Sequence, residues 1–575
     1  MVPPPNQDNW QEVKLSAKVF GHISQGLYRT PAAAIKELIS NAFDADAKTV
    51  RIHTGFPRFD VFTCQDSGSG IPRSEFDRLM ERGVGSSRKR QLGKERTPEL
   101  NRDIIGRLGI GLLALAQICT EFDLESHVGK DNAFKATIRF PAYTREEIDK
   151  LNLESDDDLI PGGRYKVEDI KYNPSRKGVQ IFTKNLRQGF KKRMRDLSRY
   201  GKFQRFKSKA PYKDFNEFLT SIYEDPELRK SLNLGSDYDQ LLFGIALISP
   251  LPYLGEEFNV MNRLSFFSAL QERLVKNDFT LTIDNLEMRR PIRLPSDSFG
   301  SQSPSCSVSG ETTRTFELVD GLHKEKIDIK RYGLRSTTSD ATFNGYQLEY
   351  KNEKVGGRPL AFTGYLFQQT GRLYPREIQG VLVRIRDVAI GAYDAAFMTY
   401  PLAEGPRYSM VSCELTVQQG FEDALNIDRE SFNTLDPHFL RMQAYLHSFL
   451  HSVVFPEAWG EEKTRNKARR SDAQESRKET FLELIREHVD SRIEAIQRIE
   501  NGSGNNPPVE FLPEEGRIVL HTSHPLLRRA RKRKKYVEVV DDLAVIFEKA
   551  LLEKTLSEQR RVFYELLTNL FNNQP

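Results

Sequence analysis

Residues 35–46 read Ile-Lys-Glu-Leu-Ile-Ser-Asn-Ala-Phe-Asp-Ala-Asp. On a helix, Glu37 and Asn41 are four apart and share one face. A carboxylate there can take a proton from water. An amide oxygen one turn along can ligate Mg²⁺, a hard cation that prefers oxygen. The same spacing also describes an ordinary solvated helix face, so the pair gains meaning only beside the segments downstream of it.

Phe59-Asp60-Val61-Phe62-Thr63-Cys64 is rich in aromatic and β-branched residues and reads as a strand. It runs into Asp66-Ser67-Gly68-Ser69-Gly70-Ile71-Pro72. An acidic residue at a strand end, followed by Gly68 and Gly70, suits a carboxylate held over a pocket with backbone close to a ligand. A plain turn with an Asp cap is the alternative. Further on, Ile105-Gly106-Arg107-Leu108-Gly109-Ile110-Gly111 precedes the apolar run Leu112 to Ala116, expected to be a helix. Backbone N–H groups of such a loop, with the positive end of the helix, make a phosphate cradle. Tight packing is the other use for those glycines.

In this order and spacing the three segments resemble the nucleotide-binding domain of the GHKL ATPases. That superfamily holds gyrase-type topoisomerases, MutL proteins, histidine kinases, MORC ATPases and the heat-shock-protein-90 chaperones. The nearest likeness is to the chaperone and MORC side: Glu37 to Ala42 with Asp44-Ala45 is similar to the chaperone N-box. The resemblance implies an N-terminal α/β sandwich of the Bergerat type with ATP and Mg²⁺ as cofactors. It implies Glu37 as general base for water, Asn41 as Mg²⁺ ligand and Asp66 as acceptor for the adenine amino group. Gly70 would shape the pocket floor, and Gly106, Gly109 and Gly111 the phosphate loop. One departure is Gly178-Val179, where the family usually has Gly-Thr and the Thr supports adenine recognition. Either a water or another hydroxyl compensates, or nucleotide affinity is modest.

Leu425-Asn426-Ile427-Asp428-Arg429-Glu430 is similar to the chaperone middle-domain loop whose arginine reaches the γ-phosphate, and Val381 to Val388 alternates like a strand leading toward it. The resemblance gives Arg429 a catalytic role, since a guanidinium can fork onto phosphate oxygens. A surface ion pair with Asp428 or Glu430 is the plainer use. Between the Asp66 and glycine motifs, the polar stretch from Gly83 to Arg102 reads as a mobile lid. Ser87 and Lys89 either touch phosphates when it closes or belong to a solvated loop.

A chain of 575 residues forms several domains. The expected order is a nucleotide-binding domain over 1–190, a basic helical insert or junction over 191–239, a transducer-like α+β middle domain over 240–455, and a helical C-terminal region over 456–575. Ser296 to Gly310 reads as a loop or linker. Residues 457–500 show helical apolar spacing, including Ile493 and Ile496, and Gly516 to His521 reads as a short strand. Lys+Arg 85 against Asp+Glu 80 gives only +5, so the basic residues matter where they cluster. Phe190 to Lys207 interleaves cations with aromatics, as a phosphate- and base-binding surface or as an amphipathic cover. Arg528 to Lys535 is cationic at seven of its eight positions. The four cysteines are scattered without metal spacing. With no apolar secretory segment at the start and no run long enough for a bilayer, the expectation is a soluble cytoplasmic protein away from the membrane.

The function implied is an ATP hydrolase acting as an ATP-dependent homodimeric clamp on a macromolecular client, DNA or protein; the alternative is a nucleic-acid-binding subunit of a multi-protein system, of the kind found in prokaryotic defence with operon-encoded partner proteins. ATP that contacts both domains only in the closed state shifts the population toward closure. A non-enzymatic nucleic-acid-binding subunit would explain the basic runs but not Glu37, Asn41 and Asp66 together. A histidine kinase would need an acceptor-His helix, and none precedes the nucleotide motifs.

Overall fold

The computed structural model describes residues 11–16, 31–81, 96–104, 111–130, 132–139, 159–195, 212–223, 236–254, 265–292, 306–321, 323–336, 342–369, 371–426, 430–458, 460, 494–499 and 509–523, and single positions 479, 546, 558 and 561. It divides into Met1–Ala458 and Trp459–Pro575.

The first unit holds two sheets. One uses β1 (Gln11–Ser16), β2 (Thr49–His53), β3 (Phe62–Asp66), β4 (Cys119–Gly129), β5 (Asn132–Arg139), β6 (Leu159–Asp169), β7 (Gly178–Leu186), β8 (Thr280–Ile283) and β9 (Leu286–Glu287). Their order is β1-β6-β5-β4-β7-β3-β2-β8-β9. Pairing is antiparallel except between β2 and β8. Alternation sets the facing: Val50 and Ile52 of β2 point into the core while Arg51 and His53 point out.

Helix α1 (Pro31–Asp44) carries Glu37 and Asn41. Pro31 stands at its first position, where a missing N–H costs nothing, and three alanines follow. It ends where Asp46 adopts φ +58°, a conformation Asp tolerates. The helix is buried on almost every side. Its small N-terminal residues let another helix approach closely: a Cβ on Gly244 would lie 3.3 Å from that of Ala32. Helices α2 (Arg73–Glu81), α3 (Gln188–Arg195), α4 (Phe215–Tyr223), α5 (Asp237–Ile248) and α6 (Ser265–Lys276) join the same core.

Two expectations change here, and one alternative is decided for the described part of the insert. Residues 280–287, assigned by the sequence to the middle domain, complete the first sheet. The pairing is fixed at Asp284, whose carboxylate accepts from Thr54 N (2.9 Å), Thr54 Oγ1 (2.6 Å) and Tyr238 OH (2.6 Å). Strand β10 (Cys306–Asp320) begins inside the stretch expected as linker, because its polar residues pair along the full length of β11 (His323–Ser336). In α3 and α4 the apolar residues of the basic insert turn inward: Phe190, Met194, Phe215 and Phe218 are buried, the amphipathic arrangement. Arg199 to Lys207 lie outside the described residues.

The second sheet continues with β12 (Thr342–Val355), β13 (Arg358–Gln369), β14 (Gly380–Ile385), β15 (Val388–Ala389) and β16 (Val411–Gln419), in the order β10-β11-β12-β13-β16-β14-β15. The single strand expected over 381–388 holds only to Ile385: Arg386 and Asp387 take positive φ, the chain reverses there, and Val388 opens β15 antiparallel to β14. Both faces of this sheet are covered. Leu382, Tyr365 and Phe367 join the core of the first sheet, while Val381, Val383 and Leu366 pack with helix α7 (Pro437–Phe449). A strand buried on both faces reads as a continuous apolar run, as Gly380-Val-Leu-Val-Arg-Ile385 does.

The exception in that run, Arg384, lies in a closed ionic network. Arg384 Nε donates to Glu414 Oε2 (2.8 Å) and its Nη2 to the Leu247 carbonyl (2.8 Å). Tyr253 OH and Tyr393 OH donate to the same carboxylate at 2.7 and 2.9 Å, and Arg290 Nη1 stands 4.0 Å away. Burial alone would raise the Glu414 carboxyl, but the two guanidiniums outweigh it and hold it at about 2.

In the second unit, β17 (Ala495–Ile499), β18 (Val509–Leu512) and β19 (Arg517–His521) form a small sheet in the order β17-β19-β18. The strand expected at 516–521 is there. Ala495–Ile499 is a strand rather than the end of a helical arm. Its β-branched Ile496 and Ile499 lie in parallel register with Ile518 and His521, and that pairing prevails over the helical spacing read across the boundary. The basic run Arg528–Lys535 lies outside the described residues. Among the described residues no helix is long and apolar enough to cross a membrane.

Candidate functional site

Glu37 is only 7% exposed. A solvated face would leave it open, so the plainer reading of the Glu37/Asn41 pair does not hold. Asn41, one turn on, is half-buried.

The Asp66 turn is bound to the end of α1. Ser69 N donates to the Ala45 carbonyl (2.8 Å), and Lys48 N and Thr49 N both donate to Ser67 Oγ (3.1 and 3.0 Å). Gly68 has no room for a side chain, since a Cβ would lie 2.7 Å from the Ala45 carbonyl oxygen. Gly70 has φ +75° and backs onto β4, where Ser126 Oγ accepts from Ile71 N (2.8 Å) and donates to Ile71 O (2.9 Å).

Asp66 is more than a cap on its own turn. Its Oδ1 accepts from Gly68 N (2.8 Å) and from Val179 N at the start of β7 (3.2 Å). Gly178 makes that approach possible: at φ +112°, a Cβ there would stand 2.7 Å from Asp66 Oδ1. Thus the Val179 position, which lacks a hydroxyl, supports the carboxylate through its backbone instead. Thr183 does not substitute for the missing hydroxyl, because its Oγ1 donates to the Glu121 carbonyl. Burial pushes the Asp66 carboxyl up to about 6, with the Gly68 and Val179 amides pulling the other way.

Gly111 opens a short 3₁₀ run, Gly111–Gln117, in place of the expected longer helix. Strand β4 starts at Cys119 and leaves the run no room to lengthen, so little dipole accumulates at its head. Gly106, Gly109, Ser87, Lys89 and Arg429 lie outside the described residues.

The end of the expected lid is built into the body of the protein. Arg102 is 3% exposed. Its guanidinium donates to the carbonyls of Phe43 (3.3 Å), Ala47 (2.7 Å), Asn277 (2.9 Å from Nε) and Asp278 (3.0 Å), and lies 4.6 Å from the centre of the Phe43 ring. Thr97 N donates to the Arg102 carbonyl, and Arg102 N to Thr97 Oγ1, closing a small hairpin. Asp46 accepts from Glu99 N and Leu100 N (2.9 and 3.2 Å). Five donors in a rigid fork suit a cluster of carbonyls, which is why residues 96–104 are fixed. Sequence reasoning missed Asp46, Arg102 and Ser126. An Arg in a polar stretch carries no mark of burial.

The root of the Arg429 loop is also built. Leaving β16, Gly420 and Phe421 take φ +83° and +75°, and Phe421 N donates to His438 Nδ1 (2.9 Å). Asn426 N donates to Ser431 O (3.1 Å) and Asn433 N to Ala424 O (2.7 Å).

Residues 28–159 match the family of histidine kinase-, DNA gyrase B- and HSP90-like ATPases. The DNA mismatch repair protein MutL of Anaplasma phagocytophilum (strain HZ) is 27% identical over 135 residues, 23% of this chain and 20% of that protein. The putative type II restriction enzyme HgiDII of Herpetosiphon aurantiacus is 31% identical over 108 residues, 19% of this chain and 16% of that protein. The matches thus span a fifth or less of those relatives' length. A solved structure of the N-terminal domain of a DNA repair protein aligns over 76% of this chain and 97% of its own, with TM-score 0.34 and 12% identity.

Proposed function

We propose, from the premise that the chain carries a GHKL-type ATPase domain, that it binds and hydrolyses ATP and uses the cycle as a dimeric clamp on DNA. The observation that carries the reading is Asp66, held by the Gly68 and Val179 amides on a turn stapled to the helix that buries Glu37. Asp66 accepts from the adenine amino group. Glu37 takes a proton from the water that attacks the γ-phosphorus, and the bond to the bridging oxygen breaks to leave ADP and phosphate. Asn41 offers a neutral oxygen of the kind Mg²⁺ accepts alongside phosphates and its own waters, and the ion would offset phosphate charge. Arg429 adds a guanidinium. The glycines of 106–111 line the phosphates, with Ser87 and Lys89 contributing from the polar segment.

Asp66 gives the nucleotide step a pH signature. Only the ionised carboxylate is a pure acceptor, and it predominates above about 6. As pH falls below that value, ATP affinity drops by about tenfold per unit. Above it, affinity stays flat. In Asp66→Asn the amide sets a donor against the adenine donor, so binding is weak at every pH and the break near 6 vanishes. Calorimetry from pH 5 to 8 reads both outcomes. Unchanged affinity in Asp66→Asn removes the residue from the pocket.

DNA is favoured as client by the names of the relatives, one a mismatch-repair protein and one a restriction enzyme, and by the basic run at 528–535. Each phosphate neutralised adds about −0.9 to the log–log salt slope on duplex DNA. Replacing Arg531, Lys532, Arg533 and Lys534 with Ser should flatten that slope by roughly 3 to 4 and weaken binding most at low salt. Binding by the parent chain should be tighter when ATP is present. If the chain hydrolyses ATP but neither affinity nor slope changes, the client is a protein.

A further inference from the structure

Two guanidiniums meet one carboxylate where the sheets join, and the match is uneven. Arg290 and Arg384 are fully buried, and so are Glu414, Tyr253 and Tyr365 around them. Glu414 cancels one of the two positive charges. Asp387 does not cancel the other, because its carboxylate pairs with Arg273 and only its carbonyl accepts from Arg290 Nη2 (3.0 Å). One charge stays in excess, and an arginine cannot shed its proton to remove it.

The same arginines carry donors without acceptors. Arg384 directs Nε to Glu414 and Nη2 to the Leu247 carbonyl, but its Nη1 meets no acceptor among the described residues. Neither do Arg290 Nε and Nη1. Nη1 stands 4.0 Å from Glu414 Oε2, beyond hydrogen-bond reach, while the guanidinium lies 4.6 Å from the centre of the Tyr253 ring. Tyr365 OH is also unpartnered among the described residues. It belongs to the same cluster: Tyr365 in β13 lies directly opposite Glu414 in β16, and such cross-strand neighbours share a face. Burial, with the Glu414 carboxylate beside it, pushes the Tyr365 phenol well above the usual range, so it keeps its proton and can donate. The backbone here is fixed. Arg290 N donates to the Pro252 carbonyl (2.9 Å), and Gln271 binds both the N–H and the carbonyl of Tyr253 (2.7 and 2.9 Å).

Buried polar groups in native proteins are nearly always met, and a buried charge left unmatched is costly. Water would answer the donors and leave the charge. An anion answers both. We propose that the joint between the two sheets binds a small monovalent anion of the halide class, chloride, held by Arg290 Nε and Nη1, Arg384 Nη1 and Tyr365 OH. The ion is small because every residue of the cluster named here is buried, and spherical because the donors come from separate side chains at separate angles. It stabilises the joint by mass action, as any ligand of the folded state does. No nucleotide enters the argument, so it stands apart from the ATPase reading.

The test uses the full chain without nucleotide. Exchanging sodium gluconate for sodium chloride at constant ionic strength holds screening fixed, and gluconate is too large for the site. The thermal midpoint should rise by about 2–3 °C for each tenfold increase in chloride above its Kd. Tyr365→Phe keeps the ring and drops a hydroxyl with no protein acceptor, so in gluconate its midpoint should match the parent. It should need roughly tenfold more chloride for the same rise. Arg290→Met removes the excess charge and should lose the response altogether. Crystals grown in sodium bromide should show an anomalous peak within hydrogen-bond distance of Arg290 and Tyr365. A midpoint that is equal in gluconate and chloride overturns the proposal, as does a chloride response that both variants retain at the parent's strength. Bromide absent from the joint overturns it too, and gives the donors to water. Should Arg290→Met fail to fold, Tyr365→Phe and the bromide peak decide.

Discussion

Alanine at position 37 should leave a protein that binds ATP and barely hydrolyses it. Removing a positioned general base costs about 10²- to 10⁴-fold in turnover. Binding should survive because the carboxylate, in the proposed role, acts on water rather than on the nucleotide, and because Asp66 belongs to another element. Stability should survive too. Ala is the best helix former, and the change takes a carboxylate out of a position only 7% exposed, where a charge is costly to hold. Glu37→Gln, of the same shape, should be as inactive, which separates the loss of a base from the loss of packing. Single-turnover phosphate release alongside equilibrium ATP binding measures both quantities. Turnover near that of the parent would reassign the base.

The second large effect is on stability. Glu414→Ala leaves Arg384 and Arg290, both fully buried, without their carboxylate. Breaking a buried ion pair from one side costs about 3–5 kcal/mol, to be read as a shift in the urea midpoint. Exchanging all three for apolar residues, Arg290→Met, Arg384→Met and Glu414→Leu, should cost much less, since no charge is then stranded. The pH dependence has a definite sign. The Glu414 carboxyl lies at about 2 in the folded protein against an ordinary 4.5, so its contribution is complete above 4.5 and disappears as pH falls toward 2. The drop amounts to about 3 kcal/mol, and Glu414→Gln should abolish that part of the acid transition. If Glu414→Ala unfolds with the parent's midpoint, the network adds nothing to the joint between the two sheets.

What could be read in the sequence was local. The 35–46 stretch and the Asp66 turn carry their meaning within a dozen residues each, through helical spacing and glycines that leave space for backbone. Even Gly178-Val179 was visible as a departure, though only the structure reveals that an amide takes over from the absent hydroxyl. The pairing of β2 with β8 was not legible, because Thr280-Leu-Thr-Ile283 looks like any short strand and its partner lies 231 residues earlier in the register Thr49↔Thr280. Arg102 and Arg384 were hidden for a related reason. Each is an arginine whose partners are mostly carbonyls or distant carboxylates, and carbonyls leave no trace in residue type. The strand at 495–499 was misread because Ile493 and Ile496 stand three apart, a helical spacing, while the strand rests on pairing with Arg517–His521 that no local pattern reveals.

The position of β8 has a consequence for synthesis. The chain makes β7 by Leu186 and reaches β8 only at Thr280, 94 residues later (280 − 186). At about 5–20 residues per second, β2 stands as an open edge for roughly 5–20 s while the ribosome proceeds. A bare edge of that kind invites pairing with another nascent chain. Its exposed Arg51 and His53 are the sort of outward polar residues that discourage such pairing. Val50 and Ile52, by contrast, are fully buried in the finished protein and are unshielded on that side until the returning strand arrives. The first sheet is therefore finished late, by a segment that is translated after helices α5 and α6.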